Sequence, residues 1–313
     1  MRKDKNMKKF NDKVVVLVAV FNGEKYLREL LDSILGNSHK NYKIVLSDDL
    51  SSDSSLDIIK EYADKYEMIE HYESGKKFGS APKHFLHLLC QYKDSDYIMF
   101  CDQDDVWDCD KIELTLNAMK NGENGPRLVH TDSVVTDDNL KTLFASYHKM
   151  LSLKDDMSFA QRLIENNVQG ATTMINRELA ELCAVEDDRV VMHDWFVALI
   201  ASAIGEIIYV PKTTMKYRQH SSNVVGATDK PESLPYILKR LKTDIRDDIL
   251  RSRQQSSLVV ETIGDKMSDS DKNIAETFAN GSFKNKVERM YEMNKFGIIP
   301  NSFLKKIKFL LWG

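Results

Sequence analysis

Short apolar segments alternate with longer amphipathic segments through residues 13–130. The apolar segments are rich in β-branched residues, and we predict strands at 14–20, 42–47, 68–71, 97–101 and 127–131. The intervening segments repeat apolar residues at helical spacing, and we predict helices at 24–35, 54–66, 82–91 and 109–119. Alternating strands and helices with continuously apolar strands predict an α/β fold, with a mostly parallel sheet covered by helices on both faces.

The pattern changes twice further along the chain. Residues 131–226 are less regular, with helices predicted at 159–165 and 195–204 and a strand at 207–210. After Gly226 the helices predicted at 234–263 and 271–278 are rich in charged residues. We therefore expect one α/β domain over residues 1–226, with halves of about 13–130 and 131–226, followed by a helical extension over residues 227–313.

Composition and charge narrow the class of protein. The chain has 313 residues, of which 42% are hydrophobic and 29% charged, and this is ordinary for a globular protein. The net charge of -4 gives no case for nucleic acid as a partner. The basic N-terminus precedes an apolar run too short for a spanning helix and without a small-residue cleavage site, so we predict a buried strand there and a cytoplasmic protein.

The cysteines indicate neither a zinc site nor a disulfide scaffold. Cys90, Cys101, Cys109 and Cys183 form no CxxC pair, so a structural zinc site is not expected. Four unpatterned cysteines in a chain of this length suit a reducing compartment.

Acidic clusters follow two of the predicted strands. Asp48, Asp49 and Asp53 come after the second strand, and Asp102, Asp104 and Asp105 come after the fourth. Because the carboxyl ends of parallel strands share one edge of a sheet, these carboxylates are expected to meet where ligands bind. A divalent cation such as Mg²⁺ or Mn²⁺ would relieve their repulsion. Capping of the next helix is the alternative, and it suits Asp53 best.

Two common phosphate-binding motifs are missing. The chain has neither GxGxxG after the first strand nor GxxxxGK[ST]. A diphosphate held at the predicted edge would therefore depend on acidic loops and a metal, not on a glycine-rich helix start. The missing phosphate loop also argues against a nucleotidyltransferase, the alternative enzyme class for a parallel sheet with metal-binding carboxylates.

Five segments in order carry a resemblance to a known family. They are VLVAVFNGEKYL (16–27), IVLSDDLSSD (44–53), YIMFCDQDDVW (97–107), MHDWF (192–196) and YRQHSSN (217–223). Together they resemble the family 2 inverting glycosyltransferases, over about residues 13–226. The resemblance implies a GT-A fold, a nucleotide-diphosphate sugar donor, and a divalent metal, Mn²⁺ or Mg²⁺.

The same resemblance implies residue roles. Phe21 and Asp49 would contact the donor base, Asp102 the ribose or the metal, Asp104 the metal, and His220 the metal or the diphosphate. Asp194 would be the catalytic base, and Trp195, Gln169 and Gly170 would lie on the acceptor side. From the residues alone, Asp194 could instead cap a helix, His220 could be solvated, and Trp195 could be a packing residue. Leu50, where relatives carry glycine or asparagine, and His193, where many carry glutamate, depart from the family pattern.

The sequences of three segments resemble one subgroup of the family in particular. The resemblance is to the corresponding motifs of the rhamnosyltransferases, in the segments FCDQDDVW, HDWF and YRQHSSNVVG. It implies dTDP-L-rhamnose as the donor and a saccharide or lipid-linked oligosaccharide as the acceptor, in cell-surface polysaccharide synthesis. A UDP-hexose-dependent transferase (glucosyl, galactosyl or N-acetylglucosaminyl) is the alternative. A non-catalytic sugar-nucleotide-binding protein is a third reading.

The C-terminal tail, residues 283–313, is basic and amphipathic. It carries seven Lys and Arg residues and two Glu residues, and 303–312 places lysines among Phe, Leu, Ile and Trp. This pattern is typical of a helix in an anionic membrane interface, which would bring the protein to the inner face of the cell membrane. Docking of the tail on the protein's own core or on a partner subunit is the alternative.

Overall fold

The computed structural model describes residues 12–220, 245–281, 291 and 293–298. The strands are β1 (Val14–Val20), β2 (Tyr42–Asp48), β3 (Ile69–His71), β4 (Tyr97–Asp102), β5 (Val106–Trp107), β6 (Arg127–Thr136), β7 (Thr142–Phe144), β8 (Thr173–Asn176) and β9 (Glu206–Arg218). The helices are α1 (Leu27–Leu35), α2 (Ser55–Lys65), α3 (Ala81–Tyr92), α4 (Lys111–Lys120), α5 (Tyr147–Met150), α6 (Phe159–Arg162), α7 (Arg177–Cys183), α8 (His193–Ile204), α9 (Ile245–Ile263) and α10 (Asp269–Asn280).

Within this described part, the strands form one sheet in the order β3-β2-β1-β4-β8-β6-β9-β5, with β7 paired to β6. Strand β1 runs parallel to β2 and β4, β2 runs parallel to β3, and β6 runs parallel to β9. Strands β5, β7 and β8 are antiparallel to their neighbours. The prediction of a mostly parallel sheet is confirmed.

The first strand shows why the core forms on both faces of the sheet. Alternate side chains of a strand point to opposite faces. Val15 and Leu17 join the apolar cluster that includes α3, α7 and α8, whereas Val14, Val16 and Val18 join the cluster that includes α1, α2 and α4. A strand covered on both sides needs apolar residues at every position, and the continuous run at 14–20 supplies them.

Most predicted elements are confirmed, and the second half differs in detail. The predicted strand at 207–210 is the middle of the much longer β9, and the predicted helix at 159–165 is the short α6. Helix α6 begins with a capping box between Ser158 and Gln161 and ends early. Strands β5, β7 and β8 and helices α5 and α7 were not predicted, because each is too short for its periodicity to be read.

The C-terminal helices cover the α8 side of the sheet. Val259 and Ile263 of α9 and Phe278 of α10 belong to the same apolar cluster as Phe196 of α8. The predicted boundary near 226 and residues 234–244 lie outside the described residues, as does almost all of the basic tail. Among the described residues, no helix combines the length and apolar character that crossing a membrane requires.

Candidate active site

Three parallel strands end together at one edge of the sheet. Val20 of β1 is in register with Asp48 of β2, and Ala19 is in register with Asp102 of β4. The residues that follow these strands, Phe21, Asp49 and 103–105, therefore gather at the same carboxyl edge. This is where open parallel sheets place their ligands, so the structure assembles the acidic clusters as the sequence predicted.

The loop between β1 and α1 is fixed by side chains from two other loops. Its four successive backbone N–H groups each donate to a side-chain oxygen: Phe21 to Gln103 (2.7 Å), Asn22 to Ser51 (2.8 Å), Gly23 to Ser55 (2.7 Å) and Glu24 to Asp53 (3.1 Å). A phosphate-binding loop needs such N–H groups aimed at its ligand. Since all four are already engaged, this loop is not built to cradle phosphates.

The carboxylate of Asp49 is the most buried acid among the predicted donor-side residues, with 4% of its surface exposed. It accepts hydrogen bonds from the backbone N–H groups of Phe78 and of Gly79 (2.8 Å for the second). The ring of Phe21 is 47% exposed, and the Lys77 ammonium lies 5.6 Å from its centre. An exposed aromatic face near a fixed carboxylate is a suitable platform for a planar base.

The acids nearest to Asp49 have structural partners. Asp48 accepts hydrogen bonds from the backbone N–H (2.9 Å) and the hydroxyl (2.5 Å) of Ser51, closing a turn. Asp53 accepts from the N–H (3.0 Å) and hydroxyl (2.6 Å) of Ser55, the first residue of α2. Asp53 thus closes a turn just before α2, whereas the N-cap of the helix is Ser54, which makes no side-chain capping hydrogen bond. Leu50, between these turns, has a φ of 57°, a conformation that suits glycine or asparagine better.

The second acidic cluster brings buried carboxyl groups close together. Burial and the neighbouring Asp104 and Asp194 carboxylates raise the pKa of Asp102 to about 7. Burial and the neighbouring Asp104 and Asp102 carboxylates raise the pKa of Asp105 well above its usual range. Burial lowers the pKa of the nearby Lys111 ammonium to about 8. A cation bound beside these carboxyl groups would favour their ionised forms and offset their mutual repulsion.

A histidine from the far end of β9 meets this cluster. His220 Nε2 lies 2.6 Å from Asp104 Oδ2, and the imidazole stacks on the ring of Tyr26 with centroids 5.1 Å apart. The guanidinium Nε of Arg218 donates to the backbone oxygen of Asp104 (3.0 Å) and its terminal nitrogen to Glu29 (2.5 Å). The position of His220 beside the acidic motif is thus fixed by β9 and by α1.

The donor atoms fit a hard divalent cation whose other ligands come from substrate. Mg²⁺ and Mn²⁺ bind through one or two carboxylates, with phosphate oxygens and water completing the shell. Asp104, with Asp102 beside it and His220 in contact, offers such a partial set. Among the described residues, no group of three or more His, Cys, Asp or Glu side chains is arranged to enclose a metal by itself.

The predicted catalytic base lies in the first turn of α8. Asp194 is 8% exposed, and its carboxylate accepts hydrogen bonds from the N–H groups of Gly170 (3.0 Å) and Trp195 (2.7 Å). Burial raises its pKa to about 6, although these two hydrogen bonds act to lower it. The helix begins after Met192, so Asp194 is inside the helix and does not cap it. A carboxylate with this pKa is ionised near neutral pH and basic enough to accept a proton.

The remaining predicted residues lie around Asp194. Gln169 accepts a hydrogen bond from the Ser133 hydroxyl (2.8 Å), and Gly170 holds Asp194 through its N–H. The indole N–H of Trp195 donates to the backbone oxygen of Arg162 (2.5 Å), and its ring packs against the core. His193 is buried between Phe85 and Phe100, and burial lowers its pKa to about 3, so it is uncharged at neutral pH.

Three residues of this region were not singled out from the sequence. Gln103 holds Phe21, Arg218 holds Asp104, and Tyr147 meets Tyr217 edge-on with centroids 5.5 Å apart. Burial and the charge of Asp194 raise the pKa of Tyr147 to about 12. Gln103 and Arg218 lie inside two of the segments that carry the family resemblance, and the available signal was their position one residue before Asp104 and two residues before His220. Nothing in the sequence near Tyr147 marks it.

Comparisons with known proteins agree with this geometry. A family model described as Glycosyl transferase family 2 matches residues 15–182. The chain is 32% identical over 224 residues to the dTDP-rhamnosyl transferase RfbG of Shigella flexneri, covering 67% of this chain and 74% of that protein. It is 24% identical over 217 residues to the uncharacterized glycosyltransferase RP339 of Rickettsia prowazekii, covering 68% of this chain and 66% of that protein.

Two solved structures have the same fold. The structure of S. aureus TarS 1-349 in complex with UDP aligns with a TM-score of 0.52 at 14% identity, covering 87% of this chain and 93% of that chain. The mannosyltransferase PcManGT from Pyrobaculum calidifontis, in complex with GDP-Man and Mn²⁺, aligns with a TM-score of 0.54 at 15% identity, covering 90% of this chain and 73% of that chain.

Proposed function

The chain belongs to glycosyl transferase family 2 and is a glycosyltransferase acting on a nucleotide sugar, and from this premise we propose that it is a metal-dependent, inverting rhamnosyltransferase. The donor would be dTDP-L-rhamnose, and the acceptor a hydroxyl of a saccharide or lipid-linked oligosaccharide in cell-surface polysaccharide synthesis. The 32% identity to a dTDP-rhamnosyl transferase supports this choice of donor. A UDP-hexose is the alternative donor.

One observation carries the catalytic part of the proposal. The buried Asp194 carboxylate is held by Gly170 of a turn that packs on β4, the strand that ends at the D-Q-D segment (Asp102, Gln103 and Asp104), and its charge helps to raise the pKa of Asp102. A base beside the diphosphate-binding acids is what a single displacement requires, because the acceptor must attack from the face opposite to the leaving group. The pKa of Asp194, about 6, suits a general base, and Asp102 is assigned to the cation instead.

In the proposed reaction, Asp194 accepts the proton of the acceptor hydroxyl while that oxygen forms a bond to the anomeric carbon. The bond from this carbon to the diphosphate oxygen breaks, and the configuration inverts. The N–H groups of Gly170 and Trp195 hold the Asp194 carboxylate in one orientation. Asp104, with Asp102 and His220, would hold the cation, which when bound neutralises charge on the leaving diphosphate.

Donor recognition is proposed for the opposite end of the edge. Phe21 would stack on the base, and Asp49 would accept a hydrogen bond from it, since a carboxylate that accepts two N–H groups still has free lone pairs. The aromatic surface of Phe21 is open for this contact, because nearly half of it is exposed. Trp195, Gln169 and Gly170 would border the acceptor.

The proposal is tested with a panel of donors: dTDP-rhamnose, UDP-glucose, UDP-galactose and UDP-N-acetylglucosamine, each with and without Mn²⁺. Thermal shift and release of the nucleoside diphosphate are measured. We expect dTDP-rhamnose to stabilise the protein and to be turned over only with metal. A response to a UDP-hexose alone would replace the rhamnosyl assignment, and binding without turnover in the presence of saccharide acceptors would favour a binding protein.

Attachment of the basic tail to the membrane is a separate part of the proposal and rests on the sequence pattern of residues 303–312. Sedimentation with vesicles containing anionic lipid compares the full chain with a form ending at Asn301. We expect the shortened form to lose binding. Equal binding of both forms would place the tail on the protein or on a partner instead.

A further inference from the structure

We propose that Gln103, the middle residue of the D-Q-D segment, is a positioning residue. It holds Phe21, on which the nucleobase of the donor would stack, at a set distance from the metal-binding acids. The inference rests on the proposed function, because it concerns the same donor site. Gln103 stands between Asp102 and Asp104 in sequence, yet its side chain points away to the loop after β1. It therefore joins the two ends of the site directly.

The contact uses the whole amide of Gln103. Its Oε1 accepts a hydrogen bond from the N–H of Phe21 (2.7 Å), and its Nε2 donates to the backbone oxygen of Phe21 (2.8 Å). Both polar groups of one residue's backbone are thereby held by one side chain. Only an amide offers a donor and an acceptor side by side in this way, so glutamate would set an oxygen against the Phe21 carbonyl.

Gly23 gives a second, independent sign that this contact is built into the loop. A Cβ on Gly23 would lie 2.6 Å from Gln103 Oε1 and 2.9 Å from its Cδ. Gly23 does not have a positive φ, so the backbone conformation does not require glycine there. A Cβ at position 23 would instead have to displace the Gln103 amide from the backbone of Phe21.

The Gln103 contact holds the backbone from which the Phe21 ring extends. The ring is 47% exposed, and the Lys77 ammonium lies 5.6 Å from its centre. Holding the backbone of Phe21 to the D-Q-D loop therefore sets where the base would stack relative to the diphosphate. Such preorganisation lowers the entropy lost when a ligand spans both ends.

The test compares a ligand that spans both ends with one that reaches only the metal end. Binding of dTDP and UDP, and of inorganic pyrophosphate, is measured by calorimetry with Mn²⁺ for the wild type, Q103A, Q103E, G23A and the double variant Q103A/G23A. We expect Q103A, Q103E and G23A to weaken nucleoside diphosphate binding by about tenfold, the value of one to two hydrogen bonds, and to leave pyrophosphate binding unchanged.

The losses of nucleoside diphosphate affinity caused by Q103A and by G23A should not be additive. Because G23A acts by displacing the Gln103 amide, it should cost little once that amide is gone, and Q103A/G23A should bind nucleoside diphosphates as Q103A does. Q161A is a matched control, since it removes a glutamine that accepts from the Ser158 N–H (3.1 Å) in the distant α6 cap, and it should leave nucleotide binding intact. The inference would be overturned by additive losses of affinity in Q103A/G23A or by unchanged nucleoside diphosphate binding in Q103A. It would also be overturned if the variants lost as much affinity for pyrophosphate as for the nucleoside diphosphates.

Failure of the proposed function has a different signature. If the wild type binds neither nucleoside diphosphate, the donor assignment is wrong. Thermal unfolding of the same variants then tests the contact between Gln103 and the backbone of Phe21. A loss of stability in Q103A that the added G23A does not increase supports this contact, and additive losses contradict it.

Discussion

His220 Nε2 lies 2.6 Å from Oδ2 of Asp104, although 116 positions separate the two residues. The contact joins the end of β9 to the acidic segment after β4, and stacking of the imidazole on Tyr26 adds a third element. An imidazole beside a carboxylate is a donor pair that a divalent cation can take up by displacing the hydrogen bond. The first prediction follows from this pair.

His220→Ala should raise the Mn²⁺ concentration that gives half-maximal activity by roughly tenfold or more, because the cation loses a neighbouring nitrogen ligand. The measurement is nucleoside diphosphate release as a function of metal concentration at saturating donor. His39→Ala, near the amino end of β2 and so at the opposite edge of the sheet, is the control and should leave the curve unchanged. An unaltered metal dependence in His220→Ala would remove His220 from the cation site.

Asp194→Asn should lower kcat by about 10²–10⁴-fold, the usual contribution of a general base, with little change in donor affinity. An asparagine keeps the size of the side chain but cannot accept the acceptor proton. Steady-state kinetics together with calorimetry of dTDP binding separate the two effects. Full activity in Asp194→Asn would mean that another group takes the proton.

The pH dependence of kcat/KM should show one acidic limb at about pH 6. Burial raises the pKa of Asp194 to about 6, so the base is protonated and inactive below this value and ionised above it. Activity should fall about tenfold for each pH unit below 6. The profile is measured at saturating Mn²⁺, where the cation keeps Asp102 ionised. Asp194→Asn should lose this limb, and a limb that persists in the variant would contradict the assignment.

Leu50→Gly should stabilise the fold by about 0.5–1 kcal/mol. Leu50 has a φ of 57°, which costs a residue with a Cβ about 1–2 kcal/mol, and glycine avoids this cost while losing about 0.5–1 kcal/mol to its freer unfolded state. Because Leu50 is 60% exposed, little buried surface is lost. Thermal unfolding should shift upward by about 2 °C. Leu50→Ala retains the Cβ and should show no gain; equal gains in both variants would contradict the argument.

His193→Phe should keep both turnover and thermal stability. His193 lies between Phe85 and Phe100, and neither of its ring nitrogens has a hydrogen-bond partner among the described residues. An apolar ring in this place removes two unsatisfied buried groups, each of which costs about 1–3 kcal/mol. A loss of turnover beyond a hundredfold, with the melting temperature retained, would instead give His193 a chemical role.

The local pattern of apolar and polar residues was sufficient to predict most of the longer strands and helices. Strands β1, β2 and β4 and helices α1 to α4 were predicted to within one to three residues, because the strands are continuous apolar runs and the helices repeat apolar residues at helical spacing. Strand β9 was predicted at less than half its length, since its second half mixes charged and apolar residues, and its pairing with β6 holds it in the sheet. Pairing between strands that are distant in sequence cannot be recognised from the residues of one strand alone.

The sequence by itself determined which acids follow which strands, and hence that Asp49, Asp102 and Asp104 would reach one edge of a parallel sheet. Only the tertiary structure decided what each of them contacts. It placed Asp48 and Asp53 in turns with Ser51 and Ser55, His193 in an apolar pocket and Gln103 on the backbone of Phe21, 82 positions away. The physical reason is that strand order and register bring these groups together, and hydrogen bonds between loops are made only after the sheet has set their distances.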